Sequence, residues 1–315
     1  MSIFPTKILL ANDGSEAELA ARTAIDLTDA MISELHISYV GVLPKFLKGG
    51  PGTRDYDGVM YEQIERESRE MLRKLAWRVK VASGTVAAAH LRMGQADEEI
   101  VDLAAELRAD LIVMVSRGRG GLKRLLMGSV SHPVVRHAHC SVMVVRGEWH
   151  GEEEQASPLG KILLAFEPSK ASSEAARAAT EIANATNSKL HIVYVLKPDQ
   201  YKPYPGPEMW VGWEEGLERA KRHSCSWVEG QAKRIRGEGV KVVEAHLALG
   251  KPDEEIVRLA EELGMSLIVV GSRGLGRIRR LLIGSVSDSV VRRAHCPVLV
   301  VRVGEAMSSR KERSA

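Results

Sequence analysis

The chain has 315 residues, of which 44% are hydrophobic, 27% charged and only 4% aromatic, and its formal net charge is +3. This length predicts about two domains with aliphatic cores, and the charge is too small to indicate a nucleic-acid or membrane surface by itself. No apolar run approaches the roughly 18 residues of a membrane span, so we expect a cytoplasmic protein that binds neither membrane nor nucleic acid. Three cysteines, an odd and sparse set, argue against a disulfide framework.

The sequence contains two copies of one pattern. Residues 90–146 and 246–302 align without gaps, and 36 of their 57 positions are identical. The amino-terminal parts match as well, because the pentapeptide KILLA at 7–11 recurs at 161–165. A period of this length is too long for a solenoid repeat and is typical of a duplicated domain.

Two polar segments delimit the copies. The segment 147–160 is acidic, has glycine at both ends, and predicts a linker. The segment 304–315 has almost no apolar content and predicts a disordered tail. We therefore expect one nucleotide-binding-type domain at 1–146 and a second at 161–303.

Each copy alternates short aliphatic runs, which predict strands, with segments of helical period. In copy one the predicted strands lie at about 7–11, 35–40, 86–90, 111–115 and 142–146, and the helices at 16–32, 59–81, 97–107 and 122–138. Copy two repeats the strands at about 161–165, 190–195, 241–247, 267–271 and 298–302. Strands that are apolar throughout are buried on both faces, which predicts two tandem doubly wound α/β domains with parallel sheets. Such sheets bind ligands at the carboxyl ends of their strands, near the switch in strand order.

Glycines mark the carboxyl end of the fourth predicted strand of copy two. That strand ends at Gly271, Gly274 follows, and Gly284 and Ser285 stand where the next helix is expected to begin. Glycine permits positive φ and close approach of a ligand to the backbone, and free N–H groups at a helix start attract phosphates. The alternative is a tight strand-to-helix loop that holds no ligand. The full spacing on the expected element favours the anion site.

In these glycines the chain resembles the universal stress protein family, in its tandem two-domain form. The family's ATP-binding members carry G-x2-G-x9-G-S/T after the fourth strand and an aspartate just after the first. The resemblance covers nearly all of both copies, except the linker, the tail and the loops after the second strand. It implies open five-stranded parallel sheets with helices on both faces, and ATP, with or without Mg²⁺, across the strand ends. It also implies pairing of the domains through their last strands, as an intrachain pseudo-dimer that a homodimer could extend.

Copy one departs from the family pattern at a single position. It keeps the aspartate, Asp13, and the later residues Gly118, Gly128 and Ser129, but Val115 replaces the first glycine. A β-branched residue disfavours positive φ and adds bulk where the backbone would meet a ligand. Copy one therefore keeps the acid and loses part of the phosphate cradle.

Copy two keeps every glycine and departs in the acid. Glu167 replaces the aspartate, and a proline without a backbone donor follows it. The acid after the first strand, Asp13 or Glu167, could hydrogen-bond a ribose hydroxyl or an adenine edge, or it could cap the next helix, as Ser169 could equally do. The resemblance implies that Val40 and Val195 contact adenine, and the alternative is that they are core valines at strand ends. We expect nucleotide binding in both copies.

Other polar groups have simpler interpretations. His36 and His191 lie inside the second strands and are interpreted as core or interface histidines. The His-Cys pairs at 139–140 and 295–296 lack zinc-type spacing, and buried cysteine is common. Basic residues in the motif loops could neutralise phosphates or form solvated helix faces: Arg117, Arg119, Lys123, Arg124, Arg273, Arg277, Arg279 and Arg280.

The expected function is regulatory binding of an adenine nucleotide, ATP, in a stress response, with slow or no hydrolysis. The sequence has no P-loop, no G-x-S-x-G elbow and no H-E-x-x-H motif, so no catalytic set stands out. Two alternatives stay open: an interaction module whose sites no longer bind nucleotide, and a weak ATPase.

Overall fold

Strands and helices alternate along the computed structural model, which describes residues 4–12, 18–43, 55–116, 128–146, 159–198, 213–273 and 283–303. The described residues form two units, one from 4 to 146 and the other from 159 to 303. We refer to these as unit 1 and unit 2. Among the described helices, none combines the length and the apolar composition needed to cross a membrane.

Unit 1 is an open five-stranded parallel sheet with helices between its strands. Its strand order is β3-β2-β1-β4-β5. In chain order its elements are β1 (Lys7–Asn12), α1 (Glu18–Met31), β2 (Glu34–Val42), α2 (Asp55–Val81), β3 (Ala88–Gly94), α3 (Ala96–Leu107), β4 (Leu111–Val115), α4 (Ser131–His137) and β5 (Ser141–Val145).

Unit 2 repeats the arrangement with the strand order β8-β7-β6-β9-β10, again all parallel. Its elements are β6 (Lys161–Ala165), α5 (Lys170–Thr186), β7 (Lys189–Leu196), α6 (Trp213–Gly237), β8 (Val242–Leu249), α7 (Pro252–Glu262), β9 (Leu267–Gly271), α8 (Ser285–Arg293) and β10 (Val298–Val301).

The strand order places helices on both faces of each sheet. From the first strand the chain moves outward over two strands, then returns to the far side of the first strand. Because such crossovers are right-handed, α1 and α2 cover one face of unit 1 while α3 and α4 cover the other. The contacts agree, since α1 packs on α2 and α3 packs on α4. The doubly wound fold is thus confirmed, and the order reverses between β1 and β4 and between β6 and β9.

The core of each unit is aliphatic, as the scarcity of aromatic residues predicts. The central strands have no solvent exposure at Leu9, Ile112 and Leu163, which explains why they are apolar throughout rather than alternating. Helix α5 turns a row of fully buried alanines toward the sheet, including Ala175 and Ala179. Small side chains let the helix lie close to the strands, and this closeness shapes the site described below.

Two predicted elements were placed wrongly. The third strand of copy one was expected at 86–90, but β3 runs from Ala88 to Gly94 because it pairs with β2 as far as Val42. Of the helix expected at 122–138, residues 122–127 lie outside the described part of the chain, and α4 begins at Ser131 after a turn at 129–130. Pro133 explains the late start. Proline lacks an N–H and is tolerated only in the first helical turn, so a helix containing it cannot begin much earlier.

The predicted linker and tail lie almost entirely outside the described residues. The last two linker positions, Leu159 and Gly160, are described and belong to unit 2. Leu159 is fully buried, and its carbonyl accepts a hydrogen bond from the Ser188 hydroxyl.

Candidate functional site

The carboxyl ends of β6 and β9 meet at the point where the strand order of unit 2 reverses. The two strands are neighbours, and the chain leaves β6 toward α5 on one side of this point and leaves β9 toward α8 on the other. A hydrogen bond joins the two departing segments, because the Ser169 hydroxyl donates to the Arg273 carbonyl at 3.4 Å. Ligands of open parallel sheets bind in the crevice outside such a switch point.

Ser169, rather than Glu167, caps the helix that follows β6. Its hydroxyl accepts a hydrogen bond from the Ser172 N–H at 3.2 Å, as an N-cap residue does. The Glu167 N–H donates to the Ser172 hydroxyl at 2.9 Å, which fixes the backbone of the acid beside the strand end. Ser169, and not Glu167, is therefore the residue that caps α5. A ligand contact through the half-buried Glu167 carboxylate stays a prediction.

Gly271 is required by packing and not by an unusual backbone conformation. A Cβ at this position would lie 2.8 Å from the carbonyl carbon of Ala171 and 2.9 Å from the nitrogen of Ser172, both backbone atoms at the start of α5. Neither Gly271 nor its counterpart Val115 has a positive φ. The expectation that this glycine serves positive φ was therefore wrong, since the close neighbour is the helix backbone.

Helix α8 begins at the predicted place, directly after Gly284. Gly284 is its N-cap residue, with φ −69° and ψ 150°, so it too has no positive φ. Its N–H donates to the Ser272 carbonyl at 2.7 Å and is therefore committed to the protein. The next N–H groups, those of Ser285, Val286 and Ser287, are the ones that an α-helix leaves without an intrahelical acceptor. They, and not the glycine, are the donors that face outward from the helix start.

A cleft of about 410 Å³ opens at the carboxyl ends of β7 and β8, beside the start of α8. It lies where the amino ends of two helices, α7 and α8, come together, and it contains two lysines. Gly250 has a φ of +147°, a conformation that L-residues rarely adopt, so glycine is required at this corner of the cleft. The lining residues are Lys197, Gly250, Lys251, Pro252, Asp253, Ser285 and Val286.

Asp253 links the two helix starts. Its carboxylate accepts a 2.7 Å hydrogen bond from the Ser289 hydroxyl of α8 and lies 3.3 Å from the Arg293 guanidinium. Partial burial alone would raise the pKa of Asp253, but the Ser289 hydrogen bond, backbone N–H groups and the charge of Arg293 outweigh it and lower that pKa. Asp253 is therefore a fixed anion that is engaged by α8.

Aromatic side chains pack beside the predicted adenine position of unit 2. Phe166, directly after β6, stacks on Trp227 of α6 with ring centroids 5.3 Å apart, and Tyr194 meets the same ring edge-on at 5.2 Å. Val195, the next residue of β7, is half-buried and pairs with Ala248 of β8. A contact between Val195 and adenine stays a prediction.

In unit 1 the structure describes only part of the predicted site. Val40 is buried, and Val115 ends β4. Gly128 lies against the end of β4, where an added Cβ would be 2.8 Å from the Ser116 carbonyl oxygen. Ser129 is exposed and precedes α4, so it does not stand at a helix start as Ser285 does. Outside the described residues lie Asp13, Gly118, Gly274 and the predicted basic residues except Arg273.

The cysteines that precede the last strands are core residues. Cys140 and Cys296 are both buried and free of disulfides. Burial raises the pKa of the Cys296 thiol to about 12, which keeps it protonated and unreactive at neutral pH.

Sequence reasoning missed the lysines and the glycine of the cleft. The sequence did contain a signal for part of the cleft, because a glycine followed three residues later by Asp-Glu-Glu occurs in both copies, at 94–99 and at 250–255. The sequence around Lys197 contains no comparable repeated pattern, and the position of Lys197 in the cleft depends on how far β7 extends. Only the strand order brings these groups beside Ser285.

Comparison with known proteins identifies the family. The family model described as "Universal stress protein family" matches residues 5–146 and again 158–302. A universal stress protein of Methanocaldococcus jannaschii is 36% identical over 148 residues, covering 44% of this chain and 81% of the relative. A Staphylococcus haemolyticus relative with the same family name is 34% identical over 145 residues, covering 46% of this chain and 85% of the relative. The crystal structure of a universal stress protein from Archaeoglobus fulgidus has the same fold, with a TM-score of 0.67 and 23% identity over 95% of this chain and 97% of that one. The chain therefore belongs to the universal stress protein family, whose domain it contains twice in tandem.

Proposed function

We propose that this protein is a cytoplasmic regulator of a stress response that binds an adenine nucleotide, ATP in the first place, with the phosphates in the cleft of unit 2. The observation that carries the proposal is the convergence of the α7 and α8 helix starts with Lys197 and Lys251 around one cleft.

The helix starts, the lysines and Gly250 favour an anion in the cleft, whereas the Asp253 carboxylate, which would repel one, is paired with Arg293. The amino end of an α-helix carries partial positive charge and N–H groups without intrahelical acceptors, and two such ends meet here. Lys197 and Lys251 add positive charge, of which the Lys251 ammonium group also donates a 3.3 Å hydrogen bond to Glu254, and Gly250 has no side chain to obstruct a ligand. The volume of about 410 Å³ lies within the range of roughly 300–1,000 Å³ that small-molecule sites occupy. A polyphosphate matches both the charge and the donors.

The nucleoside would lie toward the switch point between β6 and β9. There the Glu167 carboxylate could accept hydrogen bonds from ribose hydroxyls, and the backbone of Val195 at the end of β7 could contact the adenine edge. In unit 1 the corresponding residues would be Asp13 and Val40, with Gly118, Gly128 and Ser129 beside the phosphates. The resemblance to ATP-binding members of the family supports these assignments.

Hydrolysis of the bound ATP would be slow or absent. Asp253 is the one carboxylate among the residues that line the described cleft, and it is already engaged by Ser289 and Arg293. Mg²⁺ would therefore arrive with the nucleotide phosphates rather than on a dedicated set of protein carboxylates. Efficient phosphoryl transfer needs a positioned nucleophile and charge neutralisation, and none of the described residues that line the cleft is placed as a base.

The proposal is tested by identifying what the purified protein carries. The protein is denatured, the released small molecules are separated by chromatography, and the stripped protein is titrated with Mg-ATP. ATP recovered at one or two molecules per chain, or saturable ATP binding, supports the proposal. ADP together with continuing phosphate release would favour a weak ATPase. Neither recovery nor binding would favour an interaction module.

A further inference from the structure

Two histidines face each other across the outer strands of unit 2. His191 Nδ1 lies 3.1 Å from His246 Nε2, and the two ring planes are inclined by only 12°, with centroids 5.4 Å apart. The parallel register explains the contact, because His191 pairs with Glu244 and Val193 pairs with His246. Residues two apart on a strand share a face, so all three polar side chains project from the same side of the sheet.

Glu244 completes a three-residue group. Its Oε2 lies 3.8 Å from His246 Nε2, and one ligand atom from each of His191, Glu244 and His246 lies within 4.8 Å of the others. His191 and Glu244 stand in the first half of β7 and β8, and His246 stands at the middle of β8, so the group is separated from the nucleotide cleft at the carboxyl ends. His191 is buried, whereas the Glu244 side chain is 61% exposed, so an ion can reach the group from solvent.

The donors suit a first-row transition metal, zinc above all. Zinc is commonly held by two histidines and one glutamate, with water in the fourth tetrahedral position. Zn–N bonds of roughly 2.0–2.1 Å place two imidazole nitrogens about 3.3 Å apart in a tetrahedron, so the two rings, which are hydrogen-bonded at 3.1 Å, have to separate slightly and turn their lone pairs toward a common ion. Burial lowers the pKa of both His191 and His246, so both rings are neutral at physiological pH, the form that binds metal.

Unit 1 contains the histidine pair without the complete group. His36 Nδ1 lies 3.0 Å from His90 Nε2, but the strand partner of His36 is Ala88, where unit 2 has Glu244. The nearby Glu34 approaches the other nitrogen of His36, at 3.6 Å, and also pairs with Lys7. A hydrogen bond between two imidazoles is therefore common to both units. In unit 2 the Glu244 carboxylate approaches His246 Nε2, a nitrogen of the histidine pair, whereas in unit 1 Glu34 approaches the nitrogen of His36 that is not part of the pair.

We propose that His191, Glu244 and His246 bind one Zn²⁺ ion per chain, with water as the fourth ligand, and that the ion links β7 to β8. This site is separate from the nucleotide cleft, and its function is to fix the edge of the unit 2 sheet.

The test uses the full chain, freed of any affinity tag, stripped with a chelator and dialysed. Titration with zinc chloride should give one tight site per chain and a rise in the melting temperature, since a ligand of the folded state stabilises it. Co²⁺ should give the visible absorption of a four-coordinate site. His246→Gln and Glu244→Gln should each weaken zinc binding by more than about tenfold. The matched control is His90→Gln in unit 1, which should bind zinc as the wild type does.

The proposal is overturned if the wild type binds no zinc, or if zinc binding persists unchanged in both folded variants. Glu244 is exposed, so Glu244→Gln is expected to fold even if His246→Gln does not, and circular dichroism checks each chain. Equal losses of zinc affinity in His90→Gln and His246→Gln would also overturn the proposal, because they would show that both histidine pairs bind zinc and that Glu244 is not needed.

Discussion

The Ser289 hydroxyl of α8 donates a 2.7 Å hydrogen bond to the Asp253 carboxylate at the start of α7. This bond holds together the two helix starts that line the cleft of unit 2, and Arg293 supports it from the next turn of α8. The counterpart of Ser289 in unit 1 is Pro133, which has no donor and shortens α4. The two units thus differ at the helix start where phosphates are expected.

Removing this hydrogen bond should destabilise unit 2. Ser289→Ala leaves Asp253 with one fewer partner, and a hydrogen bond to a charged group contributes roughly 1.5–3 kcal/mol when buried. Because Asp253 is partly exposed, we expect a loss of about 1 kcal/mol in the free energy of unfolding. Urea denaturation measures it, with Ser226→Ala on the exposed side of α6 as the control. Equal stabilities of the two variants would contradict the structural role of the bond.

The same carboxylate predicts a pH dependence of stability. The pKa of Asp253 is lowered in the folded protein from the ordinary value of 3.8, so its contribution is fully present above pH 3.8 and is lost as the pH falls through the folded-state pKa. Wild type should therefore be more stable than Asp253→Asn at neutral pH, and the difference should shrink in acid. Urea denaturation of both proteins between neutral pH and about pH 3 measures it. A difference that stays constant with pH would show that the charge of Asp253 is not involved.

A methyl group at Gly271 should be costly. Gly271→Ala would place a Cβ within 2.9 Å of backbone atoms of α5, which cannot rotate away, so we expect a destabilisation of about 1–3 kcal/mol. The matched control is Gly230→Ala in α6, where nothing lies within 4 Å and alanine should stabilise the helix by about 1 kcal/mol. Thermal unfolding of both variants decides the matter. Similar changes in melting temperature for the two variants would mean that the backbone of α5 moves away from residue 271 to make room for the methyl group.

The zinc proposal predicts that a second site can be built in unit 1. Ala88→Glu places a carboxylate opposite His36, at the position that Glu244 occupies opposite His191. Titration of the variant with zinc chloride should then reach two ions per chain. A variant that still binds a single ion would show that the missing carboxylate is not what separates the two units.

Much of the fold follows from local patterns in the sequence. Apolar strands such as 111–115 and the duplicated sequence predict two doubly wound parallel domains, and both are observed. Pro133 also predicts the late start of α4, whereas the helical period of 122–138 predicts an earlier one. The correct explanation of Gly271 required the position of α5, which no spacing along the chain supplies.

The sites depend on pairing between distant segments. His191 and His246 are 55 positions apart, and only the register of β7 with β8 brings their rings into contact. Lys197 and Ser285 lie on different elements and share a cleft only because the strand order places them at one edge. The glycines and the acid form a motif that the sequence predicts, whereas the lysines of the cleft and the contact of His191 with His246 depend on strand pairing that the sequence does not reveal.

The central claim is that the cleft of unit 2 holds nucleotide phosphates, and calorimetric titration of one double variant with ATP and AMP tests it most directly. Lys197→Ala/Lys251→Ala removes the two lysine side chains that line the cleft, whereas the control, Lys241→Ala, removes an exposed charge at the opposite ends of the strands. Charge-assisted contacts strengthen phosphate binding, so the double variant should bind ATP at unit 2 at least about tenfold more weakly. AMP binding should change less, and Lys241→Ala should match the wild type. A double variant that binds ATP as tightly as the wild type would contradict the assignment.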